Sequence, residues 1–132
     1  MTRLIALLIL AACFTAPAAI LTTLHSFAGA PADGAGPYAG LTISPGGVLY
    51  GTTTSGGSGA CTSGCGTVFS LTPPAVSGGP WTESFYSFPF PKAGNDLEAG
   101  VTVGGDGVVY GTTFYGGDCG ASGGSLRAPC SD

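Results

Sequence analysis

Charge is what this sequence has least of. Only 8% of its residues are charged, against roughly 25% in ordinary soluble domains. Of 132 residues, three are Lys or Arg and seven are Asp or Glu. Loss of Arg3 with a leader would leave Lys92 and Arg127, so the balance becomes 2 − 7 = −5. That excludes a nucleic-acid partner, whose phosphates demand clustered Lys and Arg. There is one histidine, His25, so any Ser-His-Asp arrangement would have to pass through it. Long apolar runs are also missing. The unbroken stretch Leu4 to Leu10 is far shorter than the roughly 20 residues a membrane span needs, and nothing later could span either. The glycine runs match no phosphate loop, because they lack both a Lys and a following helix.

What the N-terminus does contain is a leader. Met1-Thr2-Arg3 is a short basic start, Leu4 to Leu10 is apolar, and small residues follow. Together these predict a helical secretory signal peptide over residues 1–18. Two exits from it are readable. Leu10-Ala11-Ala12-Cys13 has the form of a bacterial lipobox, in which Cys13 would be lipidated and anchor the chain. Ala16-Pro17-Ala18 fits an ordinary signal peptidase site that would release a soluble chain from Ala19.

Five cysteines with an export signal divide into Cys13 and four others, Cys61, Cys65, Cys119 and Cys130, available for disulfides. Four cysteines allow three pairings. The favoured one is a local clip, Cys61–Cys65, with Cys119–Cys130 by elimination. Cys-x3-Cys followed by a lone Cys119 is a poor zinc pattern.

Twenty-five glycines and ten prolines disfavour long helices and favour turns. Wetting must come mainly from Thr, Ser and backbone. Between the turns, the residues alternate as strands do. Ile20–Phe27 reads as a strand, Ala28–Pro37 as a loop, Gly40–Ser44 and Val48–Thr53 as a hairpin about Pro45-Gly46-Gly47, and Gly66–Thr72 as a fourth strand ended by Pro73-Pro74. The pattern then restarts. Gly47-Val48-Leu49-Tyr50-Gly51-Thr52-Thr53 returns as Gly107-Val108-Val109-Tyr110-Gly111-Thr112-Thr113, an offset of 110 − 50 = 60. Ala39–Ile43 returns as Ala99–Val103, and Leu24–Phe27 as Phe85–Phe88. The expected architecture is all-β, with two antiparallel repeats, each a four-stranded meander when complete. The first covers residues 20–74. The second, 81–117, is incomplete because its fourth strand does not appear, and 118–132 is an irregular or aberrant tail.

Leu24-His25-Ser26-Phe27, Pro37-Tyr38-Ala39-Gly40-Leu41, Leu49-Tyr50-Gly51-Thr52-Thr53, Gly56-Gly57 and Cys65-Gly66-Thr67-Val68-Phe69-Ser70-Leu71-Thr72-Pro73 carry a resemblance to the bacterial GloVer-type extracellular tandem repeat. Proteins with such repeats are described as "choice-of-anchor", since they share the array and differ in surface attachment. The resemblance covers Leu21 to Gly117. It implies an exported, propeller-like β array without established catalytic residues. Family members usually carry many copies, whereas this chain has one complete and one incomplete copy. Propellers close with four to eight blades, so two units leave a sheet face and several edges to be covered by another chain or by collapse into a sandwich.

The functional expectation is an exported, non-enzymatic β-repeat protein that serves as a surface binding or adhesion module, extracytoplasmic and either secreted or lipid-anchored. Its partners would be cell-surface polysaccharide or further repeats of the same kind. The alternatives are a carbohydrate-binding or carbohydrate-active fragment, and a truncated or frame-shifted piece of a longer array. The recurring Tyr50, Thr52, Thr53, Tyr110, Thr112 and Thr113 are the candidate ligand surface. His25 has Tyr86 as its counterpart, which argues for ring packing rather than catalysis. Asp33, Asp96, Glu98 and Asp106 read as solvated loop acids, because no Ca²⁺-loop spacing is present. No catalytic, cofactor-binding or metal residue is assigned. If a frameshift lies near Gly120–Gly124, reading the DNA beyond it in the other two frames is expected to recover a Gly-Thr-Val-Phe strand; neither frame doing so rules the frameshift out.

Overall fold

The computed structural model describes residues 20–89 and 93–116. The leader 1–18 with Cys13, and the tail 118–132 with Cys119 and Cys130, lie outside the described residues. The described chain is all-β. Its elements are β1 (Gly34–Pro37), β2 (Thr42–Ile43), β3 (Leu49–Gly56), β4 (Thr67–Thr72), β5 (Thr82–Ser87), β6 (Thr102–Val103) and β7 (Val109–Tyr110). The strands pair antiparallel in two sheets, neither closed into a barrel. No described helix is long and apolar enough to cross a membrane.

The first sheet runs β1-β3-β4-β5, and β2 also pairs with β3. β3 is its centre. Its C-terminal half takes β1 (Ala35 opposite Ser55, Pro37 opposite Thr53) and its N-terminal half takes β2 (Thr42 opposite Tyr50). Residues paired across antiparallel strands share a face. Gly51, Phe69 and Phe85 therefore lie on one face with Leu49, Leu71 and Glu83, while Thr52, Val68 and Tyr86 lie on the other.

Three expectations need correction. Ile20–Phe27 forms no strand. Both edges of β4 are already taken, by β3 and by β5, so the segment is held by side chains: the Phe27 ring stands edge-on to Phe69 at 4.9 Å and to His25 at 4.7 Å. Next, β5 was expected to open the second unit, yet its six residues pair with β4 from Thr67–Ser87 to Thr72–Thr82. Among the described residues, what remains for the second unit is the two-stranded β6–β7 hairpin and an Asn95–Tyr115 bridge. Finally, part of the expected loop Ala28–Pro37 is strand β1. A Cβ on Gly34 would stand 2.7 Å from Thr53 Cγ2 and 2.8 Å from Thr67 Oγ1, so the close approach of β1 requires glycine there.

The hairpins of the two sheets share one geometry 60 positions apart (102 − 42). Thr42 faces Tyr50 and Ile43 faces Leu49, while Thr102 faces Tyr110 and Val103 faces Val109. In each turn a glycine N–H returns to the carbonyl three residues earlier, Gly47 to Ser44 and Gly107 to Gly104, both at 2.9 Å. Gly47 and Gly107 have φ of 79° and 82°, the left-handed region where a side chain would be strained. The Asn95–Tyr115 bridge likewise sits where Ala35 pairs with Ser55.

The second unit lies on the Thr52 face of the first sheet. Thr52 Oγ1 donates to Ala99 O at 2.9 Å, and Thr42 Oγ1 donates to Val101 O. Leu97 and Val101 are buried in the contact, and a side chain of that size contributes about 1.5–3 kcal/mol when fully buried. The rest of the core is small: Cys65, Phe69 and Leu71, with Thr52, Thr53 and Thr67. Thr53 Oγ1 donates to Ser55 O (2.8 Å), accepts from Thr67 N–H (3.0 Å), and pairs with Thr67 Oγ1 (2.8 Å). Thr53→Val keeps the shape and strands these partners, so it is expected to lower stability by about 1–3 kcal/mol. Thr54→Val, at an exposed hydroxyl, should stay within about 0.5 kcal/mol; urea midpoints measure both.

Candidate functional site

The two copies of the Tyr-Thr motif do different things. In the first copy Thr52 and Thr53 are 1% and 0% exposed, so they cannot form the expected ligand surface. β3 is the central strand, one face is closed by the second unit, and both hydroxyls are consumed in the interior. Tyr50 is half-buried. In the second copy the strand stops at Tyr110, leaving Tyr110 and Thr112 exposed and Thr113 half-buried.

Thr112 and Thr113 border a cleft of roughly 420 Å³ between the first sheet and the second hairpin. Tyr86 and Phe88, edge-to-face with each other at 5.2 Å, also line it, and Leu97 and Val101 contribute apolar lining. Hydroxyls beside aromatic rings over an apolar floor suit a ligand with both a polar rim and C–H faces.

The second candidate is a cluster of ionisable side chains on the opposite face of the first sheet. His25 comes from the unpaired N-terminal segment, Asp33 from the residue before β1, and Glu83 from β5. His25 Nε2 lies 3.1 Å from Asp33 Oδ2 and 3.4 Å from Glu83 Oε1. A tight loop positions Asp33: its own N–H donates to Gly29 O at 3.0 Å, and Ala28 N–H donates back to its Oδ2 at 2.8 Å. Burial pushes the Asp33 carboxyl up, but the Ala28 and Gly34 N–H donors and His25 outweigh it and hold the group below its ordinary 3.8. Glu83 goes the other way. Burial raises it above its ordinary 4.5, the neighbouring Asp33 charge adds to that, and His25 opposes it. Glu83 Oε1 is buried without a hydrogen-bond partner. These three side chains, each offering one ligand atom within 4.8 Å of the others, could hold a metal ion.

His25 therefore does more than pack, and Asp33 is not a solvated loop acid. Glu83 was missed by sequence reasoning. Its signal was a carboxylate on the Phe85 side of an alternating strand, in a chain with little charge to spare. Asp106 Oδ1 instead accepts from Val108 N–H at 3.1 Å within the β6–β7 turn, and Glu98 is exposed. Cys61 and Cys65 form the expected disulfide, Cα–Cα 5.1 Å. The carbonyl of Cys65 accepts from Asp96 N–H at 3.2 Å, which ties the clipped loop to the second unit.

The two carboxyls give opposite pH dependences. A raised folded pKa means that Glu83 contributes stability below its ordinary 4.5, lost as pH rises through the folded value. A lowered one means that Asp33 contributes stability above its ordinary 3.8, lost as pH falls through the folded value. Glu83→Gln is therefore expected to be more stable than wild type at pH 8 in chelator, with the gap closing by pH 4; denaturant midpoints at the two pH values measure this.

Comparison of the chain with protein-family models, with curated proteins and with solved structures gives no match.

Proposed function

We propose that this chain is an exported, non-enzymatic β-repeat module of the cell surface, and that its ligand is a polysaccharide taken into the cleft between the first sheet and the second hairpin. The cleft carries the reading. Tyr86 and Phe88 supply aromatic rings on which a sugar ring can stack, and the exposed Thr112 supplies a polar group for its rim. The offset of 60 positions shared by hairpin register, turn hydrogen bonds and the Asn95–Tyr115 bridge supports the repeat, blade-like part of the proposal. The Cys61–Cys65 disulfide supports export, because disulfides persist in oxidising compartments.

A second reading, stacking of a further unit of the same kind, is favoured by Thr102 and Tyr110. They are exposed and occupy the positions of Thr42 and Tyr50 on the face that receives the second unit in the first sheet.

In a glycan-array and calorimetric screen, one class of soluble bacterial polysaccharide is expected to bind. Tyr86→Ala and Thr112→Val should each weaken it about tenfold without altering the far-ultraviolet dichroism. Product release from the bound glycan would overturn the non-enzymatic assignment. Concentration-dependent association that Tyr110→Lys abolishes, with no glycan bound, would select the stacking reading instead.

A further inference from the structure

We propose that His25, Asp33 and Glu83 form a binding site for a divalent transition-metal ion of the zinc type. It lies on the face of the first sheet opposite the cleft and is independent of the glycan reading.

Distance is the first support. A tetrahedral ion with nitrogen and oxygen ligands at about 2.0–2.1 Å sets ligand–ligand edges of roughly 3.3–3.4 Å. The His25 Nε2 to Asp33 Oδ2 and His25 Nε2 to Glu83 Oε1 separations are 3.1 and 3.4 Å. All three ligand atoms fall within 4.8 Å of one another.

The second support is an unmet need. Glu83 Oε1 is fully buried and receives no hydrogen bond. A second carboxylate, Asp33, sits in the same cluster with its side chain only 9% exposed. The buried Asp33 and the half-buried Glu83 share one imidazole, which leaves the buried Glu83 Oε1 without a donor, and that is costly away from water. A divalent cation satisfies that oxygen and offsets the repulsion between the acids.

The donor set then selects the ion. One imidazole nitrogen and two carboxylate oxygens suit zinc and its neighbours, whereas Ca²⁺ takes six to eight oxygens and Mg²⁺ an octahedral oxygen shell. The outer contacts hold the ligands in place. Ala28 N–H donates to Asp33 Oδ2 and Gly34 N–H to Asp33 Oδ1, while the Phe27 ring fixes the His25 ring edge-on. His25 is 22% exposed, which leaves a path to solvent for a water in the fourth position. The structural consequence is a clip: the ion joins the unpaired segment ending at Phe27 to β5, where no ladder hydrogen bond does so.

The test is titration of the purified full-length chain with Zn²⁺ and Co²⁺, with Ca²⁺ and Mg²⁺ as controls. The expected result is saturation at one ion per chain, a rise in Tm of several degrees, and intense visible Co²⁺ bands of tetrahedral type. The ring protons of the lone histidine should shift with Zn²⁺ in the NMR spectrum. Glu83→Gln should abolish the metal-dependent rise in Tm and weaken affinity at least tenfold; His25→Ala should weaken affinity similarly, and Asp106→Asn should leave it unchanged. Absence of saturable binding overturns the site. So does binding that survives both Glu83→Gln and His25→Ala, which would place the ion elsewhere, and so does equal binding of Ca²⁺.

Discussion

A core short of large aliphatic side chains must be closed with hydroxyls, and every hydroxyl then has to find a partner. That constraint governs this fold. Among the described residues the buried apolar side chains are Cys65, Phe69, Leu71, Leu97 and Val101, and Thr52, Thr53 and Thr67 are buried beside them. Threonine suits the task because its β-branched stem packs in a strand while its oxygen reaches backbone or a second hydroxyl. The Thr53–Thr67 pair joins β3 to β4, and Gly34 brings β1 against both. With so little apolar area to bury, the arrangement depends on satisfied polar contacts more than a large aliphatic core would.

The same economy shapes the contact between the two sheets. Thr42 and Thr52 reach from the first sheet to the backbone carbonyls of Val101 and Ala99, and Leu97 fills the space beside the clipped loop. Side chains of the first sheet thus meet main chain of the segment that precedes and enters β6, a contact between unlike surfaces. Where the second hairpin diverges from the first sheet, the contact opens into the cleft lined by Tyr86, Phe88 and Thr112. The two copies of one motif therefore meet different surroundings: the first is consumed in the interior and the second is left at the surface.

Much of the local structure was legible in the residues. The hairpins around Gly47 and Gly107 follow from alternation and a glycine at positive φ. The β4 strand follows from Thr67, Phe69 and Leu71 alternating with Val68 and Ser70, and the Cys61–Cys65 clip follows from proximity in the chain. The assignment of Ile20–Phe27 failed because strand propensity does not say which edge of a sheet is free. The burial of the two motif copies was not legible for a related reason: Thr52 and Thr112 both stand in Tyr-Gly-Thr-Thr, and only neighbours distant in the chain bury one and expose the other. His25, Asp33 and Glu83 are separated by 8 and 50 positions (33 − 25 and 83 − 33), so no local pattern links them.

By itself the sequence determined the β character, the turns and the 60-position recurrence, because backbone conformation answers to residues a few places away. Tertiary structure alone decided which strand completes which sheet, which threonines reach solvent, and that one imidazole and two carboxylates converge on a single face. Those outcomes depend on competition for edges and on burial, which involve contacts between residues far apart in the chain.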